Sequence, residues 1–204
     1  MRRLREPWRI DYTSLAAAHL EGGTGNAVAF AYEVVSQWID RYRASTSWSP
    51  EILEIALGSL VYLFDEAPAQ RAGDTGVSDA RVVGVWGRPA TGRRPRDRSR
   101  QQSFLPDSRR WSRAGFDRGH FVAHSLGGGM DINFFPQAAD VNRGRSRAGR
   151  RWRELERRAG GSARTLVLVR PVYDAETWVP RWLDFGVVLG DELEIETFDN
   201  KPLT

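Results

Sequence analysis

Apolar residues recur at intervals of three and four from Val28 to Tyr42, through Phe30, Ala31, Val34, Val35, Trp38 and Ile39, which is the spacing of one helix face. The pattern predicts a helix over 27–43, capped by Asn26 and preceded by the turn Gly22-Gly23-Thr24-Gly25. Ser49-Pro50 reads as a second helix start, with Ile52, Ile55, Ala56, Ser59, Leu60 and Leu63 on one face. Residues 66–79 lose the period and hold Pro68, Gly73 and Gly76, so they read as a loop or linker. Beyond them the rhythm changes. Residues 81–87 (RVVGVWG) form a strand-like run, 165–169 a buried strand, 178–189 one long strand or a pair, and 192–198 a strand with its acids facing outward. Residues 88–111 make a long Arg-rich loop, and 143–158 a basic helical stretch carrying Trp152 and Leu155. The class is α+β: a sheet with a helix laid over it, preceded by a helical region at 1–79 and followed to the end as a domain at 80–204.

The chain has 204 residues, 41% hydrophobic and 27% charged, enough for one globular domain or a domain with an appendage. No apolar run approaches the roughly 18 residues of a membrane span. Arg2, Arg3, Arg5 and Arg9 are followed by no uninterrupted apolar stretch, so no standard export signal is expected and synthesis is expected to be cytoplasmic. With no cysteine there is no disulfide framework and no thiolate zinc site, and the redox compartment stays open.

Charge becomes informative when divided along the chain. All 30 basic residues but Lys201 are arginine. Residues 1–87 carry a net −3, residues 88–158 a net +11 and residues 159–204 a net −4. A genome rich in Arg codons accounts for arginine over lysine but not for this segregation. Concentrated guanidinium favours a polyanion, phosphate above all, because it matches that anion bidentately.

Residues 116–156 hold the groups that can do chemistry. His120 follows a glycine, which lets backbone approach a ligand closely, and its imidazole suits general-base work near neutral pH. Asn142 offers a neutral oxygen of the kind a largely hydrated magnesium ion accepts, and Glu156 can hold one of that ion's waters. Bland readings compete with each of these. An Asp three residues before a His often forms a structural hydrogen-bond pair with it, and Asn-Phe-Phe-Pro and Asn-Arg-Gly are ordinary turn chemistry.

Taken together, four blocks in order resemble the DNA/RNA non-specific endonucleases of the ββα-metal superfamily. They are Asp117-Arg118-Gly119-His120, Asn133 to Gln137 with Pro136, Asn142-Arg143-Gly144, and Trp152 to Glu156 with Leu155. His120 to Ala123 (HFVA) and Gly127 to Gly129 further resemble the bacterial toxin-type branch. The resemblance spans about residues 81–200 and implies a nuclease core in which an antiparallel sheet carries a metal-site helix. It implies that His120 is the general base, that Asn142 is the direct ligand of Mg2+ (with Mn2+ able to substitute), and that Glu156 binds a metal-bound water. Asn133 would position the metal or phosphate, Asp117 would orient the site, and Arg96 would steady the phosphate. Arg93, Arg94, Arg98, Arg118 and Arg143 would bind substrate. The implied reaction is in-line attack on phosphorus, leaving 5′-phosphate and 3′-hydroxyl ends of DNA, with RNA as a further substrate, in a toxin or defence effector.

Two departures stand out. Residues 145–151 lengthen the segment between Gly144 and Trp152, so a broken helix would remove Glu156 from the site and make Glu154 its competitor. His124 forms a His-x-x-x-His pair with His120, which invites a zinc reading but finds no third strong ligand. Residues 1–79 are open to two roles: a layer packed on the nuclease sheet, or a dock for an inhibitor, immunity or regulatory partner; a homodimer is a separate expectation. Restraint is needed in the producing cell, and delivery to another cell is one way to meet that need. The rival class is a non-catalytic, Arg-driven nucleic-acid-binding protein.

Overall fold

The computed structural model describes residues 8–20, 26–66, 81–90, 112–174 and 179–203. Helix α1 is Tyr12–His19, and helix α2 is Ala27–Ser45. The Asn26 carboxamide oxygen accepts from the N–H of Val28 at 3.2 Å and of Ala29 at 3.0 Å, so α2 begins where its sequence predicts. Phe30, Ala31, Val34, Val35, Trp38 and Tyr42 form its buried face.

The second expected helix is instead a hairpin. Strands β1 (Ile52–Leu57) and β2 (Leu60–Asp65) pair antiparallel, with Leu57 opposite Leu60. Spacings of three and five among apolar residues let this segment pass for a helix. Gly58, at φ 67°, and Ser59 form the two-residue turn, a hairpin signal lying between two apolar runs. A helix would have left those apolar runs without a sheet to join.

Strand β3 is Arg81–Gly87, and β4 (Phe116–His120) pairs with β5 (Phe134–Ala138) as a separate two-stranded ribbon. The short helix α3 (Ala139–Asn142) and the helix α4 (Arg147–Ala159) follow. Strands β6 (Leu166–Val172), β7 (Trp182–Leu189) and β8 (Glu192–Asp199) complete a six-stranded sheet of order β1-β2-β3-β6-β7-β8, antiparallel at every step. Of the expected strand or pair at 178–189, the described residues 179–189 supply one strand. The class is α+β.

Three layers result, because alternate residues of one strand face opposite ways. Leu166, Leu168 and Val188 join Phe30, Val34, Trp38 and Leu63 under α1 and α2. Val167, Val169 and Phe185 join Phe121, Phe135, Trp152 and Leu155 on the other side, under the ribbon and α4. Every residue of β6 is buried, which is why it reads as a continuous apolar run. Since β2 pairs with β3, strands from both sides of the expected 79/80 boundary belong to one sheet. Helices α1 and α2 form the helical layer packed on it.

A buried polar cluster ties that layer down. Arg170 Nη1 donates to the Trp8 carbonyl at 2.8 Å and lies 3.4 Å from Asp184 Oδ2. Asp184 also accepts from Tyr12 Oη at 2.7 Å and Thr197 Oγ1 at 2.7 Å, and Tyr12 Oη accepts from Trp38 Nε1 at 2.9 Å. Burial and the adjacent Asp184 carboxylate push the Tyr12 phenol well above its ordinary pKa, so it stays a donor. No helix among the described residues is long and apolar enough to cross a membrane.

Candidate active site

The β4–β5 ribbon sets the orientation of the motif residues. Its register is regular, with Asp117 opposite Gln137 and His120 opposite Phe134. Alternation puts Arg118 and His120 on one face, and Asp117 and Gly119 on the other. The half-buried His120 ring lies 4.7 Å from that of Phe134. Gly119 serves a different purpose from the one expected. A Cβ there would stand 2.4 Å from Gln137 Cβ and Oε1, so the glycine makes room for a buried side chain and not for a ligand.

Asp117 and His120, on opposite faces, are therefore not the hydrogen-bonded pair that their spacing suggests. The partners of Asp117 are Arg143 and Asn142. Arg143 grips its carboxylate with two bonds, Nε to Oδ2 at 2.7 Å and Nη2 to Oδ1 at 2.6 Å. Asn142 Nδ2 donates to Oδ2 at 3.2 Å. Burial raises the Asp117 carboxyl, but the N–H groups of Arg143 and Asn142 outweigh it and hold the group below its usual pKa. With its nitrogen end engaged, the Asn142 amide is turned. Its Oδ1 receives no donor among the described residues.

Helix α4 is continuous, so the additional residues at 145–151 do not interrupt it. Arg143 caps α3, Gly144 takes φ 68°, and Ser146 Oγ caps α4 by accepting from Gly149 N–H at 3.0 Å. Gly149 is obligatory: a Cβ there would lie 2.6 Å from the carbonyl oxygens of Asp140 and Val141. Arg153 lies over Gly144, where a Cβ would stand 2.7 Å from the guanidinium carbon. Gly149, Arg153 and Glu156 are spaced i, i+4 and i+7, one stripe of a helix, and that stripe faces the turn bearing Asn142. Gly149 and Arg153 were not singled out from sequence. A glycine inside a helix, about 1 kcal/mol worse than alanine, was the signal for the first.

This stripe decides between the two glutamates. Glu156 is half-buried, and its Oε1 accepts from Trp152 Nε1 at 3.1 Å. Burial pushes its carboxyl above the ordinary range, against the pull of the Trp152 indole N–H and Arg153. Glu154 points elsewhere, toward Arg151 at 2.9 Å. That side of α4 meets β8, whose acids are exposed at Glu192 and Glu196, as their alternation predicts, while reaching the arginines of the helix. Arg151 also pairs with Glu194 and, at 2.8 Å, with Glu196, while Arg158 pairs with Glu192 and Glu194. Part of the basic stretch is thereby neutralised within the molecule.

The remaining expected residues are placed as follows. Asn133 is fully buried: its Oδ1 accepts from Val122 N–H at 3.0 Å, and its Nδ2 donates to the carbonyls of Val122 at 2.8 Å and Gly129 at 3.1 Å. It positions the loop after His120, and its polar atoms are engaged by backbone. Arg143, expected to bind substrate, is first the partner of Asp117, although its side chain stays 44% exposed and its other donors face outward. Arg118 is half-buried, and desolvation lowers its pKa. His124 opens a turn of 3₁₀ helix, with Nδ1 3.4 Å from the Gly128 carbonyl oxygen. Arg93, Arg94, Arg96 and Arg98 lie outside the described residues.

A cation fits this donor set in one particular way. Among the described residues no three His, Cys, Asp or Glu side chains gather as a metal cage, and no third ligand joins His120 and His124. Asn142 Oδ1 is a neutral oxygen that receives no donor among the described residues, and Glu156 is a half-buried carboxylate with Arg153 as a nearby cation. Such a pair suits an ion that keeps most of its water, as magnesium does. No protein-family model matches the chain, and no curated protein matches it.

Proposed function

We propose that this chain is a magnesium-dependent, sequence-non-specific endonuclease acting on DNA, with RNA as a second substrate. Its site would be a ββα-metal core built from β4, β5, α3 and α4. The observation that carries this reading is the Asp117 unit: a carboxylate pinned by Arg143 turns the Asn142 amide so that its oxygen is left undonated. The four ordered motif blocks, and the stripe that brings Glu156 toward the same turn, support it.

In this reading Asn142 Oδ1 would hold the ion and Glu156 would hold one of its waters, with manganese able to replace magnesium. When bound, the ion supplies positive charge at the phosphate and at the departing 3′ oxygen. His120 takes a proton from the attacking water as the water oxygen bonds to phosphorus. The bond to the 3′ oxygen breaks, leaving a 5′-phosphate and a 3′ oxyanion that takes a proton from solvent to become the 3′-hydroxyl. Asp117 acts through Asn142 and Arg143, not through the imidazole. Arg118, on the face of β4 that carries His120, contacts the phosphate together with Arg96. Arg93, Arg94, Arg98 and the free donors of Arg143 track the backbone on either side. Contacts confined to phosphates and sugars make the enzyme indifferent to sequence. Such an activity must be restrained where it is made, which extends the reading to a toxin or defence effector.

Plasmid DNA incubated with the protein and magnesium is expected to be nicked and then degraded, and EDTA is expected to stop this. Plasmid left intact over a broad range of protein concentration, as in the EDTA control, would leave the rival reading of a non-catalytic nucleic-acid binder.

A further inference from the structure

A groove of about 730 Å³ lies apart from the Asp117 unit, between the start of α2, the end of β3 and the β7–β8 turn. That volume is within the range of about 300–1,000 Å³ typical of ligand sites. Arg88 and Arg164 line it from two separate segments, and no acidic residue among the described residues does. Arg88 Nη1 donates to the Arg164 backbone carbonyl at 3.4 Å, which ties the Arg88 side chain to the segment that carries Arg164. Ala27, Val28, Leu189 and Gly190 form the rest of the lining. Val28 and Leu189 are 39% and 40% exposed, and Tyr32, one turn along α2 from Val28, is 59% exposed. The groove thus joins two arginines to partly exposed apolar side chains, with Tyr32, whose ring packs edge-on against Trp86 at 5.1 Å, on the adjoining turn of α2. It is also tied to the catalytic loop. Ala90 N–H donates to the Leu126 carbonyl at 3.0 Å, so the segment carrying Arg88 is fastened to the turn that follows His120.

We infer that this groove binds a single-stranded stretch of nucleic acid, with phosphates on Arg88 and Arg164 and a base or sugar against Val28, Leu189 and Tyr32. The identity of the polymer rests on the proposed nuclease reading. The chemistry follows from the lining: a positive wall tracks the backbone, and aromatic and apolar groups accept base faces without regard to sequence. Strand held here is carried along the fold toward the loop after His120, as an extension of the substrate path beyond the cleaved phosphate.

The test is binding of a short fluorescent single-stranded DNA to the full chain in EDTA, where cleavage is stopped, over a series of salt concentrations. Each phosphate contact on a single strand contributes about 0.7 to the salt slope, so Arg88→Gln with Arg164→Gln is expected to lower it by about 1.4. Arg164→Gln alone, which keeps the Arg88 bond to the 164 carbonyl, is expected to lower it by about 0.7 and guards against misfolding of the double variant. Tyr32→Ala is expected to weaken binding about tenfold with the slope unchanged, because stacking is not ionic. An unchanged slope in variants with parental circular dichroism overturns the inference and leaves the groove to an acidic protein partner. The two readings fail separately. Arginine-dependent binding with plasmid intact in magnesium would keep the groove and remove the nuclease, and cleavage with an unchanged slope would do the reverse.

Discussion

Replacing His120 with alanine is expected to slow phosphodiester hydrolysis by about 10²- to 10⁴-fold, the usual contribution of a positioned general base. Folding should change little, because the ring is only half-buried, packed at a tilt beside Phe134 at 4.7 Å. Nucleic-acid binding should stay near that of the parent, since an imidazole adds little to an arginine-dominated surface. His124→Ala is the control. His124 shares the loop but belongs to the 3₁₀ turn and contacts the Gly128 carbonyl. Turnover at saturating DNA separates the two variants, and equal losses would mean that His120 is not the base.

The largest expected effect on stability lies on the far side of the sheet. Arg170→Met leaves the Asp184 carboxylate, whose side chain is 2% exposed, without its cation, and also deprives the Trp8 carbonyl of a donor. Breaking one partner out of a buried ion pair costs about 3–5 kcal/mol, a large part of the stability of a domain this size. The double variant Arg170→Met with Asp184→Leu should recover much of that loss, because it removes both charges together. Urea unfolding of the single and double variants reads the difference. A single-variant loss under about 1 kcal/mol would mean that the cluster does not hold α1 to the sheet.

Helix α2 was legible in sequence because its signals agree: a capping Asn26 and apolar positions that fit only the helical period. The β1–β2 segment was not, because Ile52, Ile55, Leu60 and Leu63 satisfy a helical spacing as readily as a strand's. Only the Gly58-Ser59 turn and the need of β3 for a neighbour decide it, and the second of these is tertiary. The motif blocks identify which side chains belong to the candidate site but not which way they face. Strand register separates Asp117 from His120, and that register is fixed by pairing with β5, some twenty residues away. Asn133 and Gln137 turn inward for the same reason. The alternation of Glu192, Glu194 and Glu196 is visible in sequence, but their neutralisation by Arg151 and Arg158 depends on how α4 lies across β8.

The central claim is that Asp117 and Arg143 present the Asn142 oxygen to a metal ion, with Glu156 and not Glu154 beside it. It is tested most directly by the magnesium concentration that gives half-maximal plasmid cleavage, compared between the parent and single alanine variants. Asn142→Ala is expected to lose the magnesium response or shift it strongly upward. Glu156→Ala is expected to shift it by about 10- to 100-fold, as loss of an outer contact does, and Glu154→Ala to leave it unchanged. A parental magnesium response in Asn142→Ala, together with a shifted one in Glu154→Ala, would contradict the claim.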